Sequence, residues 1–151
     1  MEMGVGVAVA LVVLAISIPY GNKLSDQYRL RGAVGQIKVA LHNARAQASE
    51  ENAPVTVAFV GGTNVFGVDT SEPRDGVPDD VRYLPRGIEL GVEDDGSCLL
   101  PPGLSTTITF NSRGNLVVDA AIPNATDCTQ VESTQGMATV AVSSQGQVTV
   151  R

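Results

Sequence analysis

The sequence is poor in aromatic residues: no tryptophan, three phenylalanines and three tyrosines, 4% of 151 residues. Its folded part must be built from the plentiful glycine, valine, threonine, serine and alanine, which favour small-residue strands joined by Gly and Pro turns, so it reads as β-rich. Histidine is nearly absent. His42, the single one, lies between Leu41 and Asn43 in a helical stretch, with neither a Ser-His-Asp set nor a metal cluster available to it. It reads as a surface or subunit-contact residue rather than a base, and no catalytic constellation remains, so the chain is not expected to be an enzyme. Two cysteines, Cys98 and Cys128, fall short of the four ligands of a structural zinc site. A disulfide closing their 30-residue separation fits an oxidising compartment, and two buried thiols would fit a cytosolic one. Basic residues are also scarce: ten Lys and Arg against sixteen Asp and Glu give a net charge of -6, which disfavours polyanions.

What is present begins with sixteen residues, Met3 to Ile18, whose only polar member is Ser17. As a helix they span about 24 Å, slightly short of a hydrocarbon core. A secretory signal peptide is disfavoured because Glu2 stands where a basic region belongs and no small-x-small cleavage site follows. Further along, Leu24, Tyr28, Val34, Ile37, Leu41, Ala44 and Ala48 recur at steps of mostly three and four, marking one apolar face. Asn52-Ala53-Pro54 supplies a stop, placing the helix end near Glu51. A helix over residues 2–51 would be about 75 Å long, the length of a spine rather than of a globular helix. Pro19 and Gly21 fall where the apolar and amphipathic halves meet, and a kink or melted turn is expected there.

After Pro54 the period becomes two. Val55, Val57 and Phe59 alternate with Thr56 and Ala58, and Gly61-Gly62-Thr63-Asn64 turns the chain into Val65–Val68 as a hairpin. Further strands are expected at 81–84, 88–92, 106–110, 116–118, 138–142 and 147–151, with no internal repeat. The fold class is therefore α+β: a long N-terminal helix whose amphipathic half packs on a small antiparallel β head. The division is 1–21 for the apolar half, 22–53 for the amphipathic half and 54–151 for the head.

One acidic residue opening an apolar helix, with proline seventeen positions later, resembles the N-terminal spine of type IV pilins and type II secretion pseudopilins; Glu2 and Pro19 carry that match. The segment from Arg29-Leu30-Arg31 through Ala40–Ala48 to Val57, with Ile108-Thr109-Phe110-Asn111-Ser112-Arg113-Gly114, is similar to the GspH/FimT branch. The resemblance implies the pilin fold and a structural role. Many copies would assemble into a helical homopolymer through the apolar helices, with Glu2, Pro19 and Gly21 as assembly residues and Glu2 pairing with the N-terminal amine of a neighbour. It also implies other pilins and the pilus or secretion machinery as partners. The subunit would sit in the bacterial inner membrane before assembly and in an extracellular pilus or periplasmic pseudopilus afterwards, its head outside the cytoplasm. A low-copy minor pilin or pseudopilin acting as tip adaptor or DNA-uptake receptor is the second reading. A membrane-tethered binding domain without a polymer is the third. Family members start with a Phe-Thr-Leu-Ile-Glu type sequence, so about three positions and a leader are expected before Met1.

Three further candidates lie in the head. Five carboxylates crowd 69–80, and Asp69, Asp75, Asp79 and Asp80 are the ligands to consider for calcium, the one cofactor the sequence suggests. The regular one-three-five spacing is missing and Arg74 intrudes, which favours a solvated loop. A Gly-Arg-x-Arg DNA-binding motif of some FimT-like proteins is degraded here to Gly146-Gln147-Val148-Thr149-Val150-Arg151, leaving Arg151 exposed at a strand end and DNA a disfavoured partner. Asn124-Ala125-Thr126 fits a glycosylation acceptor, a tripeptide common by chance.

Overall fold

The computed structural model describes residues 2–69, 80–91, 105–117, 128–133 and 136–150. Helix α1 spans Glu2–Glu50, 49 residues. The melted turn expected at Pro19 and Gly21 does not form, since helical backbone continues through both. Proline deletes a single amide donor, and the hydrogen bonds on either side hold the helix through it. The C-terminal stop lies where the sequence puts it. Glu51 N donates to Gln47 O at 2.9 Å, and Asn52 adopts φ 52°, the left-handed cap that asparagine tolerates.

Among the described residues nine strands follow: β1 Val55–Val60, β2 Val65–Asp69, β3 Asp80–Tyr83, β4 Ile88–Leu90, β5 Ser105–Phe110, β6 Leu116–Val117, β7 Cys128–Ser133, β8 Gly136–Val142 and β9 Val148–Val150. They form two antiparallel sheets with no strand in common, ordered β3-β2-β1-β5-β6 and β4-β7-β8-β9. In the first sheet the hairpin pairs Val57 with Val68 and Phe59 with Phe66, whose rings stack with centroids 6.0 Å apart. On the other side of β1, Val57 faces Ile108 and Val55 faces Phe110. Alternation sends Val55, Val57 and Phe59 into the core, while Thr56 meets Thr109 through a 3.0 Å hydroxyl pair.

The core closes against α1. Ala33, Ile37, Ala40, Leu41, Ala44 and Ala48 are buried on one helix face, packed with Phe59, Phe110, Leu90, Val131 and Val140. Four alanines on that face let the strands approach the helix backbone closely, and Ile37 and Leu41 fill the space between. The apolar face read from the sequence is therefore only partly a core face. Leu24 and Tyr28 remain exposed, at 54% and 63%, and packing on the head begins at Leu30.

Strand β7 carries no period-two signal and was not anticipated. Cys128, Thr129, Gln130 and Val131 are all buried, so the polar members of the strand do not alternate outward. Its neighbours β4 and β8 pair on both edges and hold it in register regardless.

Arg45 ties two turns to the helix. Its Nε donates to Gly114 O at 3.1 Å. The 111–115 turn is closed by Asn111 Oδ1, which accepts from Arg113 N and Asn115 N. Leu116 N reaches across to Ser144 O in the 143–147 turn, itself closed by Gly146 N donating to Ser143 O. Gly114 and Gly146 have φ of 71° and 75°, and a Cβ on Gly146 would collide with Gly114 O. Gly146→Ala is expected to destabilise the head by more than about 1–2 kcal/mol. Leu41→Ala, which empties a fully buried site, should cost about 2–5 kcal/mol. Both are checked by denaturant unfolding followed by circular dichroism, and an unchanged midpoint would contradict the packing described.

Candidate assembly surface

The residues singled out in the sequence fall into three groups in space. Glu2 is the first residue of α1, and Pro19 and Gly21 lie within it, well before the segment that packs on the head. Asp69 ends β2 and Asp80 opens β3, where it pairs with Val68, so both stand at the base of the 70–79 connection. Asp69 is buried, while Asp80 is held at one carboxylate oxygen by Arg82 through Nε at 2.8 Å and Nη2 at 2.7 Å. Asp75 and Asp79 lie outside the described residues, as do Cys98, Asn124 and Arg151. Among the described residues no cluster of three or more His, Cys, Asp or Glu could hold a metal ion. Cys128 opens β7, is buried and is disulfide-bonded.

The helix itself offers the larger surface. Opposite the buried face run Tyr28, Gly32, Gly35 and Val39, spaced by four, three and four residues and all exposed. Gly32, Gly35, Gln36 and Val39 form one wall of an open groove of about 620 Å³ whose other wall is Arg82 and Tyr83 on β3. Among the described residues β3 is the edge of its sheet, so the groove lies between an exposed helix face and a sheet edge. Val39 and Tyr83 are 55% and 68% exposed. Sequence periodicity placed Tyr28 on the apolar stripe and assigned no role to Gly32, Gly35 and Val39, because two glycines carry no hydrophobic signal.

Charge is divided between the two parts of the chain. Residues 22–49 carry Lys23, Arg29, Arg31, Lys38 and Arg45 against Asp26 alone, whereas residues 50–151 carry fourteen Asp and Glu against five Arg. Arg29 lies 3.7 Å from Asp26. Among the described residues Arg31 and Lys38 form no ion pair. On the head, Glu89 of β4 and Glu132 of β7 stand directly opposite each other and line a second, smaller groove with Gly87 and Ser133. Like charges facing across a strand pair work against the pairing. Their neighbours Ile88, Leu90 and Val131 are buried toward α1, which puts the two carboxylates on the far face of the sheet.

A bilayer-spanning helix requires about 20 mostly apolar residues. Among the described residues no helix is long and apolar enough to cross a membrane. This arrangement of a long helix on antiparallel sheets is found in a solved structure, the type IV minor pilin FimU of Pseudomonas aeruginosa. One crystal form aligns over 85% of this chain and 92% of that one with a TM-score of 0.56 at 12% identity. A second aligns over 81% and 92% with a TM-score of 0.54, again at 12% identity. At that identity the likeness shows the fold, which is the pilin fold. No curated protein sequence matches the chain. The family model described as type II transport protein GspH matches residues 33–146, from the first buried turn of α1 to the glycine of the last turn. The chain thus belongs to the GspH family of pilin-like proteins.

Proposed function

We propose that the chain is the structural subunit of a type IV pilus-like filament and polymerises through its N-terminal helix. The observation that carries this reading is the length of α1 before the head: among the described residues, apolar packing on the head begins at Leu30. Residues 2–29 extend roughly 40 Å beyond that seam at ~1.5 Å per residue. Leu24 and Tyr28 are exposed there, and the run Met3–Ile18 is apolar. So much apolar helix requires either lipid or other copies of itself. The inner membrane would hold it before assembly, and a bundle of neighbouring helices afterwards.

Glu2 sets the register in this reading. A carboxylate at an apolar helix end costs on the order of 3 kcal/mol unless it is paired, and the N-terminal amine of an adjacent subunit is the partner that assembly supplies. The acidic head faces outward, in an extracellular pilus or a periplasmic pseudopilus, and other pilins and the assembly machinery are its remaining partners. An oxidising surrounding also accounts for Cys128 being disulfide-bonded, with Cys98 the proposed partner.

A second reading is favoured by the likeness to a minor pilin: a low-copy pilin or pseudopilin acting as tip adaptor. Both readings use the same helix and differ in copy number.

Glu2→Ala is expected to abolish filaments seen by electron microscopy of material sheared from cells, while the chain still fractionates with membranes. Undiminished filaments would sink the assembly role of Glu2. Mass spectrometry of recovered filaments separates the two readings, since this chain as the dominant subunit overturns a purely tip-located role. For the cysteines, unreduced denatured protein should take up no alkylating label and reduced protein should take up two. Replacing both by serine should lower head stability by about 2–4 kcal/mol. Labelling without prior reduction would overturn the pairing.

A further inference from the structure

Between the apolar run that ends at Ile18 and the packing on the head that begins at Leu30 lies a stretch of α1 with its own chemistry. Helical backbone is continuous through it, so distances along the axis follow from the rise of ~1.5 Å per residue. The run Met3–Ile18 spans about 24 Å against a hydrocarbon core of about 30 Å, and the uncharged residues 19–22 would complete the crossing. Position 23 then stands at the core boundary. Arg29 and Arg31 follow about 9 and 12 Å beyond it, within one Debye length of the headgroup layer.

The side chains of this band suit a bilayer interface. Leu24 and Tyr28 are exposed, and two of the three tyrosines, Tyr20 and Tyr28, fall here. Tyrosine, lysine and arginine collect at such interfaces because each joins an apolar body to a polar tip. Arg29 and Arg31 are both exposed. Arg29 stands 3.7 Å from Asp26, the one acidic residue of 22–49, which offsets part of its charge. Arg31 forms no ion pair among the described residues. At ~100° per residue, positions 23, 29 and 31 divide the helix circumference into arcs of about 120°, 160° and 80°. A folded partner approaches a helix from one side, whereas charge placed all round it matches a layer that surrounds it.

We infer that Arg29 and Arg31, together with the lysine at position 23, form a cationic collar that binds anionic phospholipid headgroups while the subunit is held in the bilayer. Residues 50–151 carry fourteen Asp and Glu against five Arg and are repelled by such a surface, so a preference for anionic lipid has to come from the collar. The inference rests on the membrane stage of the filament reading and names the lipid class that holds the subunit there.

The test dilutes the full chain from neutral detergent micelles, at low salt, into a mixture of two vesicle populations of different density that are then separated by flotation. One population is phosphatidylcholine alone, and the other contains about one third phosphatidylglycerol. Wild-type chain should be enriched at least about fivefold in the anionic population, since each cation near the surface contributes roughly a fivefold preference. Enrichment should vanish at about 1 M salt, where the Debye length is ~3 Å. Arg29→Gln with Arg31→Gln should bring the ratio close to parity and leave recovery with neutral vesicles unchanged. Lys38→Gln with Arg113→Gln changes the net charge equally but should keep the wild-type ratio. Lys38 lies about 22 Å beyond the boundary, and Arg113 is in the turn bonded to Arg45, farther still along the helix. Equal recovery of wild-type chain with both populations, enrichment retained by the Arg29 and Arg31 variant, or enrichment lost to the same extent in the Lys38 and Arg113 variant overturns the inference while leaving the membrane stage intact. Recovery with neither population overturns both.

Discussion

The fold depends on one seam, the face of α1 between Ala33 and Ala48. The two sheets share no strand, and what they have in common is this helix, against which both send their buried residues. Phe59, Ile108 and Phe110 come from one sheet and Leu90, Val131 and Val140 from the other. Small side chains on the helix decide how near the sheets can come. Alanine at 33, 40, 44 and 48 leaves room for strands near the helix backbone, and Ile37 and Leu41 are fully buried between them. Among the described residues, backbone hydrogen bonds also link the sheets at their margins. Gly62 N and Leu90 N bond to Leu90 O and Thr63 O, and Leu116 N bonds to Ser144 O.

The same seam explains why the rest of the helix is left over. A head of two small sheets covers about five turns of α1, and a helix of 49 residues is far longer than that. Among the described residues of the excess, Leu24 and Tyr28 are exposed. Arg45 marks the C-terminal limit of the packed region. Its side chain crosses to Gly114, and the turns at 111–115 and 143–147 are closed around it by their own hydrogen bonds. Membership of the GspH family fits this organisation, because the matched residues, 33–146, begin where burial begins and end at the last of these turns.

Much of the architecture is legible locally. The switch from a period near 3.6 to a period of two locates the end of α1 to within a residue, because Asn52 accepts a left-handed conformation and Pro54 cannot continue a helix. The 61–64 turn, rich in glycine, produces the β1–β2 hairpin directly. Strand β7 was not legible, since Thr129 and Gln130 are buried by neighbours distant in sequence and the alternation that marks a strand is lost. Pro19 produces no melted turn, because a long helix absorbs one missing hydrogen bond. Of the stripe read from the sequence, Val34, Ile37, Leu41, Ala44 and Ala48 are buried, whereas Leu24 and Tyr28 are exposed and Tyr28 lies on the opposite side of the helix.

By itself the sequence determined the long helix, its endpoint, the β-rich head and the acidic balance, because each follows from composition or from contacts between near neighbours in the chain. It also identified the cysteine and carboxylate candidates by residue type. Only the tertiary structure decided which turns of the helix are buried, that Arg45 bonds to the 111–115 turn, that Glu89 faces Glu132, and that Gly32 and Gly35 border an open groove with Tyr83. Those relations join segments far apart in sequence, and pairing between distant strands is set by the whole packed core rather than by any local preference.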